Sequence, residues 1–134
     1  MNNLIINFFQ NIFFKKIDTK EDIDSKDINK IFKKIIKDNF LLHQFYLDCY
    51  KIFKKNLSKK NNLNLKILEI GSGAGFIKEI IPNTITSEII SLEEIDIQLD
   101  ATNLNFENNS LDAILLLNVF HHISDPEKFL YESK

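Results

Sequence analysis

Leu68-Glu69-Ile70-Gly71-Ser72-Gly73-Ala74-Gly75 holds all three glycines of a 134-residue chain. Their clustering in five positions decides the fold. Before them, Lys66-Ile67-Leu68-Glu69-Ile70 is a short apolar run that reads as a strand. After them, Phe76-Ile77-Lys78-Glu79-Ile80-Ile81 reads as a helix stopped by Pro82. Glycine serves such a junction in two ways. It lets the backbone turn tightly with positive φ, and it lets a ligand approach without meeting a Cβ. Strand, glycine turn and helix open a doubly wound α/β unit.

The flanking sequence extends that unit. Thr84-Ile85-Thr86-Ser87-Glu88 is predicted to be a second strand, and Ile95-Asp96-Ile97-Gln98-Leu99-Asp100 alternates as a third. Asp112-Ala113-Ile114-Leu115-Leu116-Leu117-Asn118 is a continuous apolar run, expected of a parallel strand buried on both faces. Ser124 with Glu127 forms a capping-box pattern, with Pro126 in the first turn, for a helix running to the end of the chain. Only six residues separate Glu88 from Ile95, whereas a parallel crossover ordinarily needs a dozen or more. Either that crossover is a bare loop or the strand limits lie elsewhere.

Residues 1–62 read as helical. Ile28, Ile31, Phe32, Ile35 and Ile36 form one stripe behind an N-cap at Asp24 or Ser25. A further helix is expected from about Asn39 to Leu57, with Phe45, Cys49, Ile52 and Phe53 on one side. Ser58-Lys59-Lys60-Asn61-Asn62 then reads as a solvated turn. The apolar stretch Leu4–Phe14 is broken by Asn7, Gln10 and Asn11, and falls short of the roughly 20 residues that span a bilayer. It is expected to pack as a helix against the domain or as a lid, rather than to lie on a membrane. The expected division is a helical segment, 1–62, and a Rossmann-like domain, 63–134.

The formal net charge of −2 argues against a protein that coats nucleic acid or anionic membranes. All 17 basic residues are lysines, so no arginine can clamp a phosphate or carboxylate bidentately. The single cysteine, Cys49, is expected as a buried core thiol, consistent with a reducing, cytoplasmic setting. His121-His122 offers no metal-ligand spacing, since adjacent side chains point apart on a strand and lie about 100° apart on a helix. No metal is expected. One of these histidines could face a substrate as a general base.

The loop itself is G-x-G-x-G. A dinucleotide fingerprint would place its third glycine at Phe76, and a phosphate loop would end in Gly-Lys-Ser/Thr. Neither is satisfied. Leu68–Gly75 resembles instead the first motif of class I S-adenosylmethionine-dependent methyltransferases. Asp100-Ala101-Thr102-Asn103-Leu104-Asn105-Phe106 resembles that superfamily's D-A-x-x-L-P-F segment, with Asn105 where proline is usual. Ser110–Ile114 resembles its fourth strand, and Asn118–Pro126 the segment that follows in the small-molecule, type 11 branch. The four motifs stand in the family's order, and the resemblance covers about Asn39 to Lys134.

The resemblance implies S-adenosylmethionine as cofactor. Gly71, Ser72, Gly73 and Gly75 would lie against its methionine moiety, with Glu69 at the base orienting the loop or the cofactor's ammonium. Glu88 would accept from the ribose hydroxyls, with Glu93 and Glu94 as rivals. Asp100 would take the adenine amino group, Ala101 would offer a backbone N–H, and Asn118 a backbone carbonyl. The Asn/Asp-Pro-Pro-aromatic motif of nucleic-acid amino-methylating enzymes is absent, since Asn118 precedes Val119-Phe120-His121. A small-molecule acceptor is therefore expected, and no nucleic acid. His121 and His122 are the only catalytic candidates. In the family three more strands follow, so the chain is expected to be a C-terminally truncated piece with an exposed edge at its fourth strand. Two alternatives stay open: a non-catalytic Rossmann-like interaction module, and an NAD-type nucleotide-binding domain.

Overall fold

The structure, a computed structural model, describes residues 26–60 and 64–134. The expected helix at Leu4–Phe14, the N-cap at Asp24 or Ser25, and the turn residues Asn61 and Asn62 lie outside the described residues.

Two helices come first, α1 (Lys26–Asp38) and α2 (Phe40–Leu57). Asn39 separates them in an extended conformation, and its side chain accepts from the Leu42 N–H at 3.1 Å, an N-cap that starts α2. Four strands follow: β1 (Ile67–Ile70), β2 (Thr84–Glu88), β3 (Ile97–Gln98) and β4 (Ala113–Leu116). Helix α3 (Pro126–Glu132) closes the order. The strands form one sheet in the order β3-β2-β1-β4, and every pairing is parallel. The chain winds outward from β1 through β2 to β3, then returns across β1 to β4. That reversal is the doubly wound, Rossmann-like arrangement, and its switch point lies between β1 and β4.

β1 is the central strand, and all four of its residues are buried. Its alternation divides the core in two. Ile67 joins Phe76, Ile77 and Ile81 under the helices, against Ile36 of α1 and Tyr50 and Leu57 of α2. Leu68 and Ile70 face the other way, onto Leu99, Ala101, Leu104 and Phe129 of α3. Asp112 sets the register of β4. Its N–H donates to the Lys66 carbonyl at 2.9 Å, and its carboxylate accepts from the Lys66 N–H at 2.8 Å.

The structure departs from the sequence expectations at six points. Phe76–Ile81 is no α-helix but a single 3₁₀ turn, Ile77–Glu79, held by the Glu79 N–H to the Phe76 carbonyl and the Ile80 N–H to the Ile77 carbonyl. Six residues between Gly75 and Pro82 do not offset helix nucleation, and the proline disfavours helical geometry at Ile81. The third strand shrinks from Ile95–Asp100 to Ile97–Gln98. β4 is half-buried rather than buried on both faces, because among the described residues only β1 pairs with it. The cap of α3 is Asp125, not Ser124. Pro126 restricts Asp125 to φ −133°, ψ 85°, and its side chain then reaches the Lys128 N–H at 3.0 Å. Finally, α2 buries Tyr50 and Leu57 and packs Leu42, Tyr46 and Phe53 beside them, while Phe45 and Ile52 are exposed. Cys49 is only half-buried. Docking on Phe76 and β1 selected the larger aromatic stripe.

The crossover from β2 to β3 is indeed a loop. β3 begins opposite Ser87, near the carboxyl end of β2, so the chain need not retrace the whole strand. Asp96 pins that return. Its carboxylate accepts from the Thr86 N–H at 2.8 Å, the Thr86 hydroxyl at 2.9 Å and the Lys78 ammonium at 2.6 Å. These contacts, the lysine's and the Thr86 N–H's foremost, hold the Asp96 carboxyl below its ordinary range.

Leu68 is fully buried in the central strand. Leu68→Ala is expected to lower the unfolding free energy by about 2–5 kcal/mol in urea denaturation. A change below about 1 kcal/mol would contradict its place at the centre of the core.

Candidate functional site

The glycine loop leaves the carboxyl end of β1 and is stitched to β2 by backbone and serine groups. The Ser72 N–H donates to the Ser87 carbonyl at 2.9 Å, and the Ser87 N–H donates to Ser72 Oγ at 3.3 Å. Both serine hydroxyls converge on the Glu69 carbonyl, Ser87 at 2.7 Å and Ser72 at 3.3 Å. The Gly75 N–H closes the turn on the Ser72 carbonyl at 2.8 Å. Each glycine answers a separate crowding. Gly71 has φ +68°, and a Cβ there would lie 2.4 Å from a methyl of Val119. A Cβ on Gly73 would meet Asn29 of α1 at 2.5 Å and the Glu88 carboxylate at 2.8 Å. One on Gly75 would lie 2.3 Å from the Tyr50 hydroxyl.

Glu69 lies under this loop, 2% exposed, on the same face of β1 as Ile67. Its Oε2 has no hydrogen-bond partner among the described residues. Burial pushes its carboxyl up to about 7. The Ser72 and Tyr50 hydroxyls oppose that rise, and the nearby Glu88 charge adds to it. Tyr50 is itself 1% exposed, and burial followed by the Glu69 charge drives its hydroxyl well above the ordinary phenol range. Its ring stacks edge-on with Phe76 at 5.5 Å. Phe76, where a dinucleotide fingerprint needs glycine, is enclosed by His43, Tyr46 and Tyr50.

At the end of β2, the Glu88 carboxylate folds back over the loop. Its Oε2 accepts from the Gly73 N–H at 3.1 Å and its Oε1 from the Ile89 N–H at 2.9 Å. The rivals lie elsewhere: Glu94 pairs with Lys33 of α1, and Glu93 is exposed. Asp100 is exposed, and one of its oxygens accepts from the Thr102 N–H at 2.8 Å and hydroxyl at 2.9 Å. That turn, the N–H first, lowers the Asp100 carboxyl below its usual range. Ala101 beside it is buried. Asn118 follows β4 in the left-handed region, φ +60°. Asn105 is also left-handed, φ +47°, a conformation closed to the proline usual there in the family the sequence resembles.

His121 and His122 stand in the 3₁₀ turn Phe120–His122 beyond β4. Both are exposed, and their rings lie 4.0 Å apart rather than pointing apart. Among the described residues, no cluster of three or more His, Cys, Asp or Glu could hold a metal, and no helix is long and apolar enough to cross a membrane.

Beside the loop is a cavity of about 280 Å³ whose lining includes Glu69, Ser72 and Gly75 together with three lysines, Lys33, Lys37 and Lys78, and two further acids, Glu79 and Glu94. Lys33 bridges to Glu94, and Lys37 lies 3.8 Å from Glu79. Burial, then the charge of Lys37, lowers the Lys33 ammonium below its ordinary pKa. Sequence reasoning missed Tyr50, Lys33 and Lys37. The i, i+4 spacing of the two lysines beside the Ile36 stripe was a usable signal. Nothing in the sequence pointed from Tyr50 to Gly75.

Residues 68–134 match the family model described as a methyltransferase domain. The chain belongs to that family, the class I S-adenosylmethionine-dependent methyltransferases. Comparisons with curated proteins and with solved structures returned no match.

Two stability measurements test this geometry. Gly75→Ala is expected to destabilise by about 1–3 kcal/mol through overpacking on Tyr50, and adding Tyr50→Phe is expected to recover part of that loss. Strict additivity of the two changes would refute the contact. For Glu69, the native state retains the proton up to about pH 7 and the unfolded chain only to about 4.5. Between those values the native state binds the extra proton, so this carboxyl's contribution to stability falls as pH rises. The loss is on the order of 3 kcal/mol over that window. Glu69→Gln should flatten the pH profile of chemical denaturation there, and an unchanged slope would exclude a buried titrating carboxyl.

Proposed function

We propose that this methyltransferase-family chain binds S-adenosylmethionine at the carboxyl ends of β1, β2 and β4 and serves methyl transfer to a small-molecule acceptor. The observation that carries the reading is the Glu88 carboxylate at the end of β2, held against the glycine loop by the Gly73 N–H. A carboxylate there can exchange its contacts for a pair of vicinal hydroxyls, the chemistry of a ribose edge. The orphaned Oε2 of Glu69 fits a second feature of the same cofactor, its ammonium group.

In this reading Gly71, Ser72, Gly73 and Gly75 form the backbone surface for the amino-acid part, with Glu69 below it. Asp100 keeps one carboxylate oxygen outside its Thr102 turn, which suits it to accept from the adenine amino group. Ala101 offers its N–H to the ring, and Asn118 its carbonyl to the ammonium. When bound, S-adenosylmethionine supplies an activated methyl group with a neutral thioether as its leaving group. The chain contributes alignment, exclusion of water, and a base for the acceptor, for which His121 and His122 are the candidates beyond β4. Residues 63–134 would be the binding domain, with α1 and α2 as its helical cover. Asn118-Val119-Phe120-His121 after β4 and the absence of arginine favour a small acceptor over a nucleic-acid base.

Titration calorimetry with S-adenosylhomocysteine tests the reading. The unaltered chain should bind, and Glu88→Ala should weaken binding about ten- to a hundredfold, the loss of hydrogen bonds to a charged acceptor. No binding by the unaltered chain, or equal binding by the variant, would reject it.

A further inference from the structure

Helix α2 carries apolar side chains on the side that the core does not use. Its inner face packs Tyr46, Tyr50, Phe53 and Leu57 into the core. On its outer face Leu41 is 79% exposed, Ile52 58% and Phe45 55%. At about 100° per residue these three lie within about 40° of one another, a stripe along an 18-residue helix. The single acid between Phe40 and Lys60 is Asp48, and it is already engaged by Lys51 at 3.1 Å and Gln44 at 2.8 Å. Four more lysines follow, Lys54, Lys55, Lys59 and Lys60. Among the described residues none of the four meets an acid. Lys59 donates to the Asn56 side chain and Lys60 to the Asp112 carbonyl. Cations near a helix C-terminus answer its dipole, but that end carries only about half a charge, and the lysines bring four. The net charge of −2 is thus unevenly spread, with a basic pole where α2 ends.

We propose that the outer face of α2 docks on an anionic lipid surface, with Leu41, Phe45 and Ile52 below the headgroups and the lysines that follow them at headgroup level. Stable attachment to a bilayer takes two signals, and this face joins an apolar stripe to a polybasic run. Charge chooses between the occupants. A second copy would set unpaired lysines against a face whose one acid is engaged. A nucleic acid would satisfy the lysines and leave the stripe in water, and the chain has no arginine to clamp a phosphate bidentately. A lipid surface takes both at once, since lysine stems lie along apolar surface while their ammonium groups stay with the headgroups. The inner face of α2 stays in the core, so docking needs no unfolding. The inference is independent of the cofactor reading.

Flotation of the 134-residue chain with lipid vesicles tests the inference. Phosphatidylcholine vesicles with about one-third phosphatidylserine should bind it at least about tenfold more tightly than phosphatidylcholine alone, and about 0.5 M salt should remove most of that difference. Each lysine near such a surface is worth about a fivefold change, so Lys54→Gln with Lys55→Gln should weaken binding about ten- to thirtyfold. Phe45→Ser with Ile52→Ser should weaken it about tenfold or more. Both side chains are exposed, so the urea midpoint should stay in place. Equal binding to the two kinds of vesicle, or binding to neither, would overturn the inference. So would anionic binding that either pair of substitutions leaves intact, which would assign it to another part of the chain. Sedimentation without lipid tests for a second copy: a dimer that Phe45→Ser with Ile52→Ser dissociates would assign the face to it. Tighter binding to an oligonucleotide than to the anionic vesicles, lost in the lysine pair alone, would assign the face to nucleic acid. Either result overturns the lipid assignment.

Discussion

A carboxyl group buried at the end of the central strand governs the architecture of this protein. Glu69 is 2% exposed, and an acid in that position demands neutralisation or donors. Two hydroxyls answer it, Ser72 from the loop and Tyr50 from α2, and burial outweighs both, raising the acid's pKa to about 7. The Tyr50 hydroxyl then occupies the space a side chain would need at position 75. One of the three glycines is thus required by the partner of Glu69, rather than by the turn alone.

That dependence joins α2 to the sheet and the sheet to the candidate site. Tyr50 and Phe76 pack in the same core cluster as Ile67 and Leu57, so the aromatic layer that secures α2 also supports the loop from below. On the far side, Ser72 and Ser87 lock the loop to β2, and Glu88 at the end of that strand reaches Gly73. The loop is therefore fixed by neighbours on two sides, and at Gly73 it lies against Asn29 of α1. Such fixation limits the reorganisation that binding requires.

The short connections show how side chains can replace helices. A single 3₁₀ turn and the Asp96 clamp on Thr86 and Lys78 do the work that longer helices do in a fuller α/β unit. The six residues between Glu88 and Ile95 left open a bare loop or other strand limits, and both hold, but the clamp was not legible in sequence. Asp96 lies ten residues from Thr86, and no spacing rule links them. The helix expected at Phe76–Ile81 failed for a related reason. Its pattern was apolar enough, but the proline boundary left too few residues to nucleate it.

Hydrophobic runs and turn residues made the four strands legible in their order along the chain, with the glycine loop and the acids near the ends of β1 and β2. Those features are local: hydrophobic runs, turn residues and strand-end positions depend on near neighbours in the chain. Tertiary structure alone decided which face of α2 is buried, which residue caps α3, and why each glycine must lack a side chain. It also brought Lys33, Lys37 and Tyr50 to the loop. These outcomes depend on pairs of residues distant in sequence and adjacent in space. Their selection follows from close packing, in which a clash of a few tenths of an ångström outweighs any local preference.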